Sequence, residues 1–339
     1  MTDGVEERVE ALWTAATAGD EPAATAVATG ALDAGMPMET LLLEVVAGVQ
    51  ARVGREWAAN RLSVAQEHTA TAVNERVLAT LAHRMPGQDG PGRGRIMVAC
   101  IDGEWHAFPA RLLAEVLRVR GWHVDYLGAQ VPTPHLVAHL HLTNPDAVAL
   151  SSSLAIRLPA AHAAITACQA AGTPVVAGGA AFGPDGRYAR LLGADGWAPD
   201  ARAAADLLAA GPLPRRTGSR EEPLGLADRE YTELTRSAGD LVGGIVTELA
   251  RGPEPAGCTE QQLGQLAEQV AYLVDFLRAA LYVDDPKLFS AFVGWMRHVL
   301  TARDIPGSLL PAALDALSGR LDGFPRALDM VARARARCP

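Results

Sequence analysis

Cysteine is scarce and scattered in this 339-residue chain: four residues, Cys100, Cys168, Cys258 and Cys338, with no two at close spacing. Neither a zinc module nor a disulfide framework is therefore expected. No apolar run is long enough to cross a bilayer, and Met1-Thr2-Asp3-Gly4 does not open a signal peptide. A cytoplasmic protein with no membrane partner is the expectation. Lys and Arg number 30 against 39 Asp and Glu, a net charge of −9. Nonspecific DNA binding draws on clustered cations that displace counterions, so no DNA binding by this chain is expected either. No catalytic constellation stands out, and the chain is not read as an enzyme. His123, His135, His139 and His141 suggest a metal cluster at first sight, but no acid or thiol stands at ligand spacing. They are read as a solvated surface.

What is present divides into three. Half of the residues (49%) are hydrophobic, ample for two or three compact domains. Two linkers rich in Pro and Gly, 86–94 and 211–220, set the boundaries. Residues 1–86 carry apolar positions at helical spacing, among them Val5, Val9 and Leu12, with breaks at Gly19, Gly35-Met36-Pro37 and Asn60. A four-helix bundle is predicted there. Residues 95–211 alternate short apolar strands (95–101, 147–151, 174–177) with helical stretches, the pattern of a parallel α/β sheet. Residues 224–339 are helical again: Leu263, Leu266, Val270, Leu273, Val274 and Leu277 form one stripe, and Leu288, Phe292, Trp295 and Val299 another, with Asp284-Asp285-Pro286 as the cap and first turn of the second helix and Ile305-Pro306-Gly307 as the break after it.

The strand 95–101 empties into Asp102-Gly103-Glu104-Trp105-His106-Ala107-Phe108-Pro109. A histidine at the carboxyl end of a strand lies on the edge where open parallel sheets bind ligands. Imidazole is a good metal ligand when neutral, and a carboxylate two residues away suits the second ring nitrogen. After the later strands come Ser152-x-Leu154 and Gly178-Gly179, and the bundle carries Trp57-x9-Glu67-His68. Taken one at a time these are a loop histidine, a turn and a core tryptophan. It is their order that is specific.

The order resembles the cobalamin-binding module that pairs Asp-x-His-x-x-Gly with a later Ser-x-Leu and Gly-Gly. Here Asp is replaced by Glu104, as in the module's light-sensing branch, and the glycine by Pro109, which the first turn of a helix accepts. The resemblance implies a Rossmann-like (flavodoxin-like) sheet, His106 as the cobalt ligand, and small residues that admit the nucleotide tail of base-off cobalamin. It further implies that Trp57, Glu67 and His68, on a helical cap, line the space for a 5′-deoxyadenosyl group, so that the cofactor is adenosylcobalamin. In light-sensing repressors of this group a histidine follows the tryptophan and captures cobalt after illumination. This chain has Ala58, so a bis-histidine product is not expected, nor is the DNA-reading winged helix of those repressors.

Tyr272, Phe276, Tyr282, Phe289, Phe292, Trp295 and Met296 crowd into the C-terminal helices of a chain only 5% aromatic, with Arg278, Arg297, His298 and Arg303 nearby. Flat apolar walls and guanidiniums suit a tetrapyrrole with propionates. Aromatics at this spacing also form ordinary cores. A cap, a cobalamin sheet and a globin-like helical domain in this order resemble the photocobilins, which carry adenosylcobalamin and a bilin, biliverdin, in one chain. The resemblance implies a photoreceptor in which cleavage of the cobalt–carbon bond drives a conformational or oligomeric change. Tyr272, Asp275, Arg297 and His298 are chosen as bilin contacts on chemistry and position, and Cys258 as a conceivable thioether site. A homodimer is expected. The alternatives are a corrinoid carrier for methyl transfer and a cobalamin-only sensor whose last helices form an interaction element.

Overall fold

The computed structural model describes residues 2–85, 92–213, 229–251 and 260–338, with side chains from 266 onward in the last of these stretches. Cys258, Leu263 as a packing residue and most of both linkers lie outside the described residues. Two compact units emerge, 1–217 and 218–339.

The first unit opens with α1 (Thr2–Ala18) and α2 (Glu21–Asp33). Gly19, at φ +71°, makes the turn between them, and the Asp20 side chain caps α2 by accepting from the Ala23 amide at 2.9 Å. A third helix runs on through α3 (Met38–Thr40), a π-helical stretch (Leu41–Val46) and α4 (Ala47–Ala58). The sequence pattern predicts helix here but not the wider turn, which buries Leu41, Leu42, Val45 and Val46 together. Asn60, at φ +56°, ends the segment, and a capping box starts α5 (Val64–His83): Ser63 Oγ accepts from the Gln66 amide while Gln66 Oε1 accepts from the Ser63 amide.

Five parallel strands follow: β1 (Arg95–Cys100), β2 (His123–Gly128), β3 (Ala147–Ser151), β4 (Val175–Gly178) and β5 (Gly196–Ala198), in the order β2-β1-β3-β4-β5. β1 and β3 are buried nearly throughout, as strands covered on both faces must be. The connections are α6 (Phe108–Val119), α7 (Thr133–Thr143), α8 (Leu158–Ala170) and the short α9 (Arg187–Leu191), and α10 (Ala201–Ala209) closes the unit. This is the doubly wound order whose switch point lies between β1 and β3. One hydrophobic core runs from Leu12, Leu42 and Leu78 of the bundle through Leu117 of α6 to Ile96 and Val98 of the sheet. Bundle and sheet are thus one packed body, and ion pairs reinforce the join: Arg120 holds Glu39 (2.7 Å) and Asp206 (2.5 Å), and Arg202 holds Glu44 (2.6 Å).

Among the described residues the second unit is five helices: α11 (Arg229–Arg251), α12 (Glu260–Tyr282), α13 (Pro286–Ala302), α14 (Leu309–Ser318) and α15 (Pro325–Arg335). Asp285 caps α13 from outside Pro286, and the break at 305–307 separates α13 from α14, both as the sequence indicates. The core is built on Leu277, Phe289, Val293, Leu314 and Val331. No helix among the described residues is long and apolar enough to cross a membrane.

Candidate cofactor site

The loops after β1 and β3 meet at the switch point, and Glu104 joins them. Its side chain is 1% exposed. Oε1 accepts from the His106 amide at 2.9 Å and lies 2.6 Å from His106 Nδ1. Oε2 accepts from Ser152 Oγ (3.0 Å) and from the amides of Ser153 (2.7 Å) and Leu154 (3.2 Å). Burial alone would push this carboxyl up, but the hydrogen bonds from the His106 ring and amide and the Ser153 amide outweigh it and hold it at about 2. An anionic Glu104 fixes the Nδ1–H tautomer of His106 and leaves Nε2 with its lone pair. The His106 ring is 55% exposed. Its own pKa is raised, first by the hydrogen bond to Glu104 against the opposing effect of burial, and further by the charges of Glu104 and Glu67. Glu67 therefore stands within electrostatic reach of His106.

On the bundle, the capping box sets Glu67 and His68 in the first turn of α5, and Trp57 lies half-buried in the last turn of α4, packed against the core. A relay of side chains holds Glu67. Asn74, fully buried, donates to Gln50 Oε1 (2.9 Å), Gln50 donates to Thr71 Oγ1 (2.8 Å), and Thr71 donates to Glu67 Oε1 (3.1 Å). Asn74 Oδ1 itself is buried without a partner. His68 is mostly exposed, with Nδ1 2.6 Å from Glu67 Oε2 and 2.9 Å from the Val64 carbonyl oxygen. Sequence reasoning missed Gln50, Thr71 and Asn74, though part of the signal was there: Gln50 falls at helical spacing among Val46, Ala47 and Val53, and Asn74 among Ala70, Val77 and Leu78.

Gly178 ends β4, and Gly179 follows it at φ +102°. Ser152 donates its amide to the Gly178 carbonyl at 3.1 Å, so Ser152, Leu154, Gly178 and Gly179 share the carboxyl edge with His106. Among the described residues no group of three or more His, Cys, Asp or Glu is placed to hold a metal ion. One imidazole cannot hold a bare cation, but it suffices for a metal that arrives in a macrocycle supplying four equatorial nitrogens. The donor set fits a corrin. The four-histidine stretch needs one correction: folding does bring an acid to it, since Asp125 lies 3.6 Å from His123 and 4.0 Å from His139, but Arg95 already holds both its oxygens.

In the second unit the residues chosen for a bilin are not assembled into a clamp. Asp275 pairs with Arg278 at 2.7 Å, and Arg278 also donates to Thr235. Arg297 donates to the Arg337 carbonyl oxygen, and Arg303 to that of Val299. His298 is exposed. Phe276 and Phe292 stack face to face with centroids 3.6 Å apart, while Tyr272 and Trp295 stand 45% and 46% exposed.

Residues 94–206 match the family model described as the B12 binding domain, and residues 8–82 match a second model with that description. The chain is 37% identical over 125 residues to the HTH-type transcriptional repressor CarA of Myxococcus xanthus, 35% of this chain and 41% of CarA. It is 32% identical over 178 residues to CarH, an HTH-type transcriptional repressor of the same organism, 51% of this chain and 57% of CarH. The chain thus spans about half the length of the curated relatives it matches. Among solved structures the monomethylamine corrinoid protein of Methanosarcina barkeri superposes with a TM-score of 0.50 at 18% identity, over 60% of this chain and 97% of that one, a likeness of fold. B12-binding domains and homology to these repressors follow. The expectation that set DNA aside is overturned, because both curated relatives are HTH-type transcriptional repressors. Net charge is a sum over the chain, whereas a nucleic-acid surface is local, and a total of −9 had no bearing on it.

Proposed function

We propose that this chain is a light-responsive receptor that holds adenosylcobalamin between its bundle and its sheet, with His106 as the lower cobalt ligand. The observation that carries this reading is the buried Glu104, five hydrogen bonds deep, which presents an exposed imidazole at the switch point of a segment matching a B12-binding domain. Bound there, the cofactor supplies a light-cleavable cobalt–carbon bond. The chain's own residues hold and sense. Glu104 fixes the tautomer of His106, Ser152 and Gly178-Gly179 shape the edge beneath it, and Thr71 steadies Glu67 on the upper side beside Trp57 and His68. Trp57, Glu67 and His68 would line the upper space on the bundle, and a change in what fills that space would be felt where the bundle packs on the sheet. The role is binding and signalling, not turnover, in a cytoplasmic protein.

The finer reading adds a bilin, biliverdin or a relative, in the C-terminal helices, taken as globin-like, with Tyr272, Asp275, Arg297 and His298 as contacts. A second reading has an observation in its favour: the arginines are engaged within the unit, and Tyr272 and Trp295 are exposed. On that reading the chain is a cobalamin-only sensor whose last helices serve interaction. A corrinoid carrier for methyl transfer shares the fold but has no need of the Trp57 and Glu67 upper face. One experiment separates them: absorption spectra of protein from cells given adenosylcobalamin and biliverdin, in the dark and after green or red light. A far-red band beside a light-sensitive corrin band supports two chromophores. A corrin band alone leaves the sensor, and a light-stable methyl-corrinoid form the carrier.

A further inference from the structure

The arginines around the sheet are nearly all spoken for. Arg95 holds Asp125, Arg111 and Arg118 hold Glu115, Arg120 holds Glu39 and Asp206, and Arg202 holds Glu44. Arg157 differs. Its guanidinium makes no hydrogen bond or ion pair with the described residues, and its Nε is buried without a partner. A guanidinium nitrogen shut away from water with no acceptor is a sizeable penalty unless something outside the chain removes it.

Its position says what that is. Arg157 ends the short 3-10 turn (Ala155–Arg157) that follows Ser152-x-Leu154 at the carboxyl end of β3. From there it reaches across to the β1 loop and lies flat on Gly103: a Cβ on that glycine would sit 2.7 Å from Nη1 and 2.9 Å from Cζ. Gly103, at φ +74°, is therefore both the turn and the seat of the guanidinium. The next residue is Glu104, whose carboxylate has no capacity left for Arg157, being saturated by His106, Ser152, Ser153 and Leu154. Asp102, exposed on the same loop, forms no ion pair with it. An uncommitted cation thus stands at the switch-point crevice, against the loop that carries the imidazole proposed to hold cobalt.

We propose that Arg157 binds the phosphodiester of the cobalamin nucleotide tail. This rests on the cobalamin reading above. Cobalamin's peripheral groups are neutral carboxamides apart from that phosphodiester, its one formal anion, and a guanidinium fork matches a phosphate bidentately. The tail must run along the carboxyl edge that Arg157 shares with Ser152 and Gly179 if His106 displaces its base from cobalt.

The test compares adenosylcobalamin with adenosylcobinamide, which lacks the phosphodiester and base, by absorbance titration in the dark of the full chain and of Arg157→Gln and Arg157→Lys. Arg157→Gln is expected to lose about ten- to a hundredfold in cobalamin affinity, the weight of a charge-assisted hydrogen bond, with cobinamide affinity unchanged. Arg157→Lys keeps the charge but not the fork and should fall between. Wild-type affinity for cobalamin should also weaken with added salt more than that of Arg157→Gln. Equal losses for both corrinoids, or none, would overturn the assignment, and thermal unfolding shows whether a shared loss is one of folding. Inorganic phosphate that raises the wild-type melting temperature without corrinoid, and not that of Arg157→Gln, would mark a free-anion site and also overturn it. If the wild type takes up neither corrinoid, the cobalamin reading falls, and this proposal with it.

Discussion

Gly179 lies so close to Ser152 that a Cβ on it would come within 2.2 Å of the Ser152 carbonyl oxygen. The loops after β3 and β4 are thus in backbone contact, and the glycine's φ of +102° adds a conformation that side chains rarely adopt. The chain itself demands this glycine. Gly179→Ala is expected to destabilise the first unit by about 1 to 3 kcal/mol. Denaturant unfolding measures it, and a midpoint equal to the wild type's would contradict the close approach.

Replacing Glu104 tests the join between the other two loops. Glu104→Ala strands the Ser153 and Leu154 amides and frees the His106 ring, so stability should fall by about 1 to 3 kcal/mol. Corrinoid affinity should fall about ten- to a hundredfold with the loss of the ligand's orienting partner. His106→Ala should spare stability, since its ring is largely exposed, yet abolish the imidazole-ligated corrin spectrum. Wild-type spectra in that variant would remove His106 from the site.

Thr71→Val breaks the relay that steadies Glu67 while keeping the side-chain shape. The expected outcome is a selective loss: adenosylcobalamin binds several-fold more weakly while hydroxocobalamin, with no adenosyl group, binds as before. A parallel loss of both would place Glu67 outside the upper-face space.

The join of bundle and sheet should depend on pH. Arg120's hydrogen bond holds the Glu39 carboxyl below its ordinary value, against the opposing effect of burial, and the charges of Arg120 and Arg202 add to it. A carboxyl of about 4.3 when unfolded and lower when folded stabilises fully above the unfolded value. That contribution drains away as pH falls through the folded one. Glu39→Gln should therefore be about 1 kcal/mol less stable at pH 7, with the gap closing below about pH 4. A gap that persists in acid would mean that packing, not charge, holds the join.

The sequence by itself determined the two helical regions, the parallel sheet between them and the three strand-end motifs, because periodicity, capping residues and apolar runs are local signals. Pro109 in the first turn of α6 and Asp285 as the cap of α13 were legible for the same reason. What tertiary structure decided depends on residues distant along the chain. Ser153 and Leu154 meet Glu104 only because β1 and β3 are neighbours at the switch point, Gln50 meets Thr71 and Asn74 only where α4 packs on α5, and Asp125 reaches His139 only across the sheet edge. The partners of the aromatics and arginines in α12 and α13 were likewise beyond the sequence: Phe276 and Phe292 stack on each other, Arg278 pairs with Asp275, and Arg297 and Arg303 donate to backbone carbonyls. A side chain's partners are set by what the fold brings within 3 Å of it, and nothing in the spacing of one segment carries that information.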